Sequence, residues 1–499
     1  MLSARRRIAI RLLPFLFLLY LLNYVDRVNV SFAALRMSAD LHFSDRVYGL
    51  GAGVFFLTYV LFEIPGAILV ERWSARKWIA RIMITWGLVT TFTAFIHSAS
   101  QFYAARLLLG AAEASFYPGV MIYIARWFRL EDRARAIAVF YAAIPAGMFV
   151  GSSAASWLLG INWLNLSGWR WLFIMEGVPA ILIGFVTLFF LTDHPSQAEW
   201  LTVSERDWIA SEMAAERAAQ KKNRNFTFWE ACHDSRILLI MAGYFFFQLA
   251  GVASSFWLPT FLKRLSGLPP ASVSKLLMIP AIPGVIVLLA NAWHSDRAGE
   301  RKWHTVIPVA CAGFVYLSAV PAHSRLTLAF LFFTLAISFN LASVPGIWAM
   351  PTAILSGAGG AAALGLISSV SQAGAFIGPY LVGYLNERSH SILPSIAAIG
   401  SSYLGAAFIF CFVRVQTRTA QDRCPRPGHI TCESPTISAG ARNIVFSLLC
   451  SQYALRCIPA ISGRTDFSLC VQARSAKRQT CDCGRINACS STGRGQAPH

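Results

Sequence analysis

Charge is what this sequence has least of. Asp, Glu, Lys and Arg make up 13% of its 499 residues, against about 25% in a soluble globular chain. Too few charged side chains remain to cover a water-facing surface of that size. Catalytic signatures are also missing. No His-Glu-x-x-His, P-loop or Ser nucleophile elbow occurs, and the ten His are scattered, so nothing points to the chemistries those motifs serve. Cysteine is nearly absent from the first four-fifths of the chain, because eight of the eleven Cys lie within 421–499. There Cys481-x-Cys483 and Cys489 lack the partner spacing of a metal site. No metal and no cofactor is expected.

What the chain does have is apolar length. Its composition is 56% hydrophobic with a mean hydropathy of +0.53. Runs of about 20 apolar residues recur, enough to cross a ~30 Å hydrocarbon layer as helices. Twelve candidate spans fall near 11–33, 47–70, 79–97, 102–126, 134–160, 169–191, 237–262, 273–294, 304–322, 326–349, 361–385 and 392–414. The first is too long, and too charged in its middle, for a cleaved signal peptide. The expected fold class is an all-α, multi-pass membrane protein.

The net charge of +19 invites a nucleic-acid reading, but its placement argues for a lipid bilayer as the partner. Basic clusters at Arg5–Arg7, Arg72/Arg76/Lys77, Arg129/Arg133/Arg135, Lys221/Lys222/Arg224 and Arg297/Arg301/Lys302 occupy every second connection. That is the positive-inside pattern, and it places this face, with both ends of the helical core, in the cytoplasm. One such connection, around 352–362, has no Lys or Arg.

Four regions are expected: a six-helix half over 1–191, a cytoplasmic linker over 192–236, a second six-helix half over 237–420, and a tail over 421–499. In the linker, a Thr202-x-x-Glu205 capping box opens a surface helix. An internal repeat relates the halves: "ERWSARKW" at 71–78 and "DRAGERKW" at 296–303 share acid, Arg, Arg, Lys and Trp at matching offsets, 225 residues apart. The tail has no span and no helical period, and reads as an unselected or out-of-frame extension beyond a natural end near 415–420.

Ionisable residues inside the spans stand out, since each costs about 2.5–3.5 kcal/mol at mid-membrane and usually faces a wet cavity or a partner. Asn23, Asp26 and Arg27 share a helix face, with Tyr24 beside them. A carboxylic acid in a low-dielectric cavity can hold a proton near neutral pH, and an Arg stays charged and can grip a carboxylate with two parallel bonds. Asp26 and Arg27 therefore suit a proton site and an anion site; a static ion pair is the plainer alternative. Arg106 and Glu113, seven residues apart, share a face of the fourth span, where packing between helices is again the alternative. Glu63 and Glu176 lie nearer the ends of their spans and read as structural. Trp257, Asn340, Trp348, Ser368 and Gln372 are candidate cavity residues in the second half, with Ser368 and Gln372 one helical turn apart. Gly147/Gly151 and Gly374/Gly378 offer small faces for close packing.

The strings "YLLNYVDRVNVSFAAL", "GLGAGVFFLTYVLFEIPG", "ERWSARKWIARIMITWGL", "RLLLGAAEASFYPG" and "GWRWLFIMEGVPAILIG" together resemble the major facilitator superfamily, and within it the anion:cation symporters. The resemblance runs from about residue 10 to 415. An insertion before "GWRWLFIMEG" looks most like bacterial tartrate transporters.

The resemblance implies a twelve-helix major facilitator fold of two pseudo-symmetric halves, sited in a bacterial inner membrane and working as a monomer. It implies import of a small organic anion with protons, driven by the proton gradient; an aromatic-carboxylate importer and a drug exporter are the alternatives. It also implies proton coupling at Asp26 and Glu113, and substrate binding at Tyr24, Arg27, Tyr59, Arg106, Ser368 and Gln372. Gating falls to Glu71, Arg72, Arg76, Lys77, Asp296, Arg297, Arg301 and Lys302. Two positions depart from the family pattern: Ser74 replaces the usual Gly, expected to stiffen or distort its turn, and Gln372 replaces a frequent Asn.

Overall fold

Short polar caps punctuate the apolar runs and decide where each helix begins. In the computed structural model, which describes residues 2–220, 233–354 and 357–413, the Ser44 hydroxyl accepts from the Val47 N–H at the start of helix α2. Ser74 and Ser98 do the same for Lys77 and Gln101 at the starts of α3 and α4, each supplying an acceptor to a donor that the first helical turn leaves unpaired. The expectations for the tail over 421–499 and for Lys221, Lys222 and Arg224 lie outside the described residues.

Those residues form helices and no strand. The first set is α1 (Leu2–Asp40), α2 (Asp45–Arg72), α3 (Ala75–Thr93), α4 (Ala99–Glu113), α5 (Phe116–Trp127), α6 (Leu130–Tyr141), α7 (Ala143–Leu158) and α8 (Gly168–Phe190). After the surface helix α9 (Val203–Gln220) come α10 (Ser235–Ser266), α11 (Pro270–Leu276), α12 (Ala281–Ala298), α13 (Trp303–Ala319), α14 (Leu326–Ile354), α15 (Gly357–Ser389) and α16 (Leu393–Cys411). Three pairs follow end to end, Ala99–Trp127, Leu130–Leu158 and Pro270–Ala298, which makes twelve rods among the described residues. Nine are long and apolar enough to cross a membrane by themselves. The other three are α3, which carries Arg76, Lys77 and Arg81, the short α13, and α15, diluted by Gly, Ser and Gln.

The fourth rod is not the continuous span that its hydropathy suggests. It breaks directly after Glu113, where Ser115 takes a left-handed conformation, φ 68°. Such a residue costs about 1–2 kcal/mol and needs support. Trp78 Nε1 donates to its hydroxyl at 3.0 Å, and Gly66 on α2 leaves the room that Ser115 occupies.

Glycines set two other close approaches. Gly374 and Gly378 on α15 lie against the carbonyls of Phe245 and Leu249 on α10. Gly49 and Gly53 on α2 face the carbonyls of Pro379 and Phe376 on α15, where an added Cβ would stand only 2.5 Å away. This second crossing joins the first six rods to the last six at the end of the bundle remote from the chain's start. Around it Arg264 pairs with Asp45 at 2.5 Å, Ser44 donates to Glu387 at 2.8 Å, Tyr48 donates to the Phe256 carbonyl at 2.8 Å, and Lys263 reaches the Leu35 carbonyl. Among the described residues, the hydrogen bonds joining the two sets gather at this end, which is sealed.

At the opposite end α9 is fastened to the first set. Its capping box is formed: the Glu205 N–H donates to Thr202 Oγ1 at 3.3 Å, and the Thr202 N–H to Glu205 Oε2 at 3.2 Å. That backbone bond holds the Glu205 carboxyl below the usual carboxylate range. Arg7 pairs with Glu205, Arg129 with Glu212 and Arg133 with Glu216, while Trp127 stacks on Trp200 at 5.5 Å between ring centres.

Candidate functional site

The polar face of α1 meets the end of α4 just before the break at Ser115. Arg27 Nη2 donates to Glu113 Oε1 at 2.5 Å, and its Nε to the same oxygen at 3.2 Å. Asn23 Nδ2 donates there as well, at 2.6 Å. Glu113 is 0% exposed, whereas the Arg27 side chain keeps 27% exposure. The pair thus has one sealed and one accessible member. Arg27 also lies 5.2 Å from the ring centre of Tyr59 and 5.7 Å from that of Phe55, aromatic faces that favour a guanidinium.

Arg106 sits one layer further along α4 toward the sealed end. Its Nε donates to the Gly51 carbonyl at 3.2 Å, and its guanidinium lies 4.8 Å from the Phe55 ring centre. Asp26 turns the other way, accepting from Asn29 at 3.3 Å. Asp26 Oδ2, Glu113 Oε2 and Arg106 Nη2 are all buried without a hydrogen-bond partner. The plain alternative for α1, an Asp26–Arg27 ion pair, is not what forms; Arg27 takes Glu113 instead. Sequence neighbours on one helix have split between two surroundings.

Tyr24 faces a different space. With Ser31, Ser152, Ser254, Asn340 and Tyr403 it lines a cavity of about 90 Å³ between the two sets of helices, smaller than the ~300–1,000 Å³ of ordinary small-ligand sites. Asn340 donates to the Tyr403 hydroxyl at 2.8 Å, and Ser254 bonds Tyr316. No charged residue lines this cavity. Ser368 on α15 faces Glu63 of α2. Gln372 Oε1 is buried and unpartnered. Trp257 is a packing residue, fully buried and donating to the Pro379 carbonyl at 3.0 Å.

The loop motifs stand apart from this site, at the α2–α3 and α12–α13 junctions. The acid that meets the start of α3 is Asp193, which the sequence reading passed over, and not Glu71. Asp193 accepts from Ser74 Oγ at 2.7 Å and from the Arg76 N–H at 3.0 Å, with Arg76 Nε 3.8 Å away. Its position just past the apolar run of α8 was the available signal. Among the described residues Glu71 forms no ion pair; its carbonyl accepts from Arg126 at 3.0 Å. Ser74 does not distort its turn. At φ −150° and ψ 118° it is an ordinary extended N-cap. Arg72 is exposed, and Lys77 lies over Trp73 at 5.9 Å.

In the second junction Glu300 does the capping, accepting from the Trp303 N–H at 2.9 Å and approaching His304 Nδ1 at 2.9 Å. Asp296 and Arg301 form an exposed 3.8 Å contact, while Arg297 and Lys302 lie over Trp293 and Trp303.

A family model described as Major Facilitator Superfamily matches residues 16–379. The chain belongs to the Major Facilitator Superfamily. It is a multi-pass membrane transporter in a family of transporters rather than enzymes. A protein of Agrobacterium vitis named "Putative tartrate transporter" is 37% identical over 424 residues, covering 83% of this chain and 93% of that one. The "Quinolone resistance transporter" of Acinetobacter baumannii is 35% identical over 411 residues, covering 81% and 92%. Among solved structures, the inward open xylose transporter XylE of Escherichia coli superimposes with a TM-score of 0.67 at 15% identity, covering 81% of this chain and 96% of that one, a likeness of fold.

Proposed function

We propose that this chain imports a small organic anion together with protons by alternating access, taking a hydroxy- or dicarboxylate such as tartrate, or a sugar acid. The observation that carries the reading is the contact between Arg27 and Glu113. An internal carboxylate already occupies the guanidinium fork, so a substrate carboxylate and Glu113 compete for one cation. A proton on Glu113 removes its charge and releases Arg27 for the substrate. Tyr59 and Phe55 hold the guanidinium between the two. Asp26 is the second proton site, and Arg106, with one nitrogen unpartnered, offers a further positive group. A proton gradient suffices as driving force, with no cofactor.

The cavity between the sets supplies the rest of the selectivity. Its hydroxyls and the Asn340 amide suit a ligand carrying hydroxyl groups, and Ser368 and Gln372 are further neutral substrate contacts from α15. Names of relatives, tartrate among them, agree with this class. An aromatic carboxylate is the second reading, favoured by the rings of Phe55, Tyr59 and Phe256 around the two guanidinium groups.

The sealed α2–α15 crossing belongs to a state shut toward the outside of a bacterial inner membrane, with both ends of the core in the cytoplasm. The loop clusters at Arg72, Arg76 and Lys77 and at Arg297, Arg301 and Lys302 then tune the inner gate, and one chain is the working unit. Proteoliposome uptake with a panel of hydroxy, dicarboxylic and aromatic acids, with and without an imposed pH gradient, tests the reading. Gradient-dependent accumulation of a hydroxy acid is expected; accumulation of none of the panel would refute it.

A further inference from the structure

The corner between α12 and α13 holds a chain of titratable side chains to which the transport reading gives no part. His294 Nδ1 and His304 Nε2 face each other at 2.6 Å, and His304 Nδ1 lies 2.9 Å from Glu300 Oε2. Other side chains fasten the backbone around them. Asn291 donates to the His304 carbonyl at 2.8 Å and to the Ala342 carbonyl of α14 at 2.9 Å, and Ser295 donates to the Glu300 carbonyl at 2.7 Å. The repeat-related corner between α2 and α3 carries none of the three residues. At the same 225-residue offset, His294, Glu300 and His304 correspond to Leu69, Ala75 and Ile79, and Asp193 holds that corner instead.

The geometry decides where the hydrogens sit. Burial pushes the Glu300 carboxyl up, but bonds from the Trp303 and His304 N–H groups outweigh it and hold the group below the usual carboxylate range. An ionised carboxylate only accepts, so His304 Nδ1 carries a hydrogen. The two facing ring nitrogens then hold one hydrogen between them, one donating and the other accepting. Imidazole is the side chain whose charge ordinarily changes between about pH 5 and 8, and His294 is exposed to water. With both rings protonated, two N–H donors and two positive charges face one another, and the contact parts. The surroundings do not offset this. Asp296 is 76% exposed and sits 3.8 Å from Arg301, while Arg297 and Lys302 add positive charge over Trp293 and Trp303. Of the helices packed against the corner, α7 and α14 have no ionisable residue, and α16 has Tyr403, bonded to Asn340, and Cys411.

We propose that His294, His304 and Glu300 form a pH-sensitive clasp on the inner gate, closed at neutral pH and released when the cytoplasm turns acid. While it is closed, the end of α12 and the start of α13 move as one body. Once it is released they do not, and turnover slows as protons accumulate inside. That consequence rests on the proton-coupled reading above; the clasp itself does not.

The test uses the purified full-length chain in lipid nanodiscs, with hydrogen–deuterium exchange of peptides covering 291–305 corrected for the intrinsic rate at each pH. Wild-type exchange should be roughly tenfold faster near pH 5 than near pH 7.5, the scale of one lost hydrogen bond. His294→Gln, whose amide can donate to His304 Nε2 but cannot take a charge, should stay protected at both. His294→Ala should exchange fast at both. A wild-type profile that ignores pH, or a His294→Gln profile that follows the wild type, would overturn the proposal, and neither measurement depends on His294→Ala folding. In proteoliposomes with tartrate, an acid interior should slow counterflow in the wild type relative to His294→Gln; equal slowing in both would remove the link to the gate. Exchange behaving as expected in a protein that accumulates no anion would fault the transport reading and leave the clasp standing.

Discussion

The first six rods and the last six are alike in architecture and unlike in chemistry. Among the described residues, the buried ionisable side chains inside the rods of the first set are Asp26, Arg106, Glu113 and Glu176. In α10–α16 the buried polar residues are Ser, Thr and Asn, with no charge among them. On the proposed reading, one side carries the groups that take protons and attract an anion. The other offers hydroxyls and amides, which discriminate by shape and hydrogen bonding. A transporter divided this way can have its coupling altered without its selectivity, and the reverse.

Breaking the charged side gives the largest effect. Arg27→Lys keeps the charge but loses the planar fork; at about 1.5–3 kcal/mol for a charge-assisted bond, KM for the anion should rise roughly 10- to 100-fold, read from initial uptake rates. The crossing that joins the two sides comes next. Gly49→Val puts side-chain atoms against the Pro379 carbonyl, overpacking worth about 1–3 kcal/mol. The sealed end should open, and a cysteine placed at Tyr48 should label faster with a membrane-impermeant thiol reagent.

On the neutral side, Asn340→Ala leaves the Tyr403 hydroxyl without its donor, a loss of about 1–1.5 kcal/mol. Preference among hydroxy acids should change by about 5- to 12-fold, with the pH dependence of uptake unmoved. Ser74→Ala removes the cap of α3 and the bond to Asp193; about 1 kcal/mol of stability should go, seen as a lower Tm with KM unchanged.

How much of this was legible in the sequence divides along the same line. Apolar run length made the twelve rods readable, and the price of charge in hydrocarbon marked Asp26, Arg27, Arg106 and Glu113. The partners were harder. Arg27 pairs with Glu113, 86 positions away, and its immediate neighbour Asp26 turns away to accept from Asn29. Helix geometry assigns a face, but packing of other helices decides what that face meets. Hydropathy was blind to the break at Ser115, because a left-handed residue is set by backbone and support. The acid at the start of α3 was unreadable for a similar reason: Asp193 lies far off in sequence and is brought there by the return of α8.

The competition for Arg27 is best measured as anion affinity against pH in purified protein, in the wild type and in Glu113→Gln. With Glu113 able to ionise, affinity should weaken as pH rises, because the ionised carboxylate takes back the guanidinium. In Glu113→Gln that slope should flatten, while counterflow exchange persists and accumulation against a gradient is lost. An unchanged slope in the variant would contradict the account.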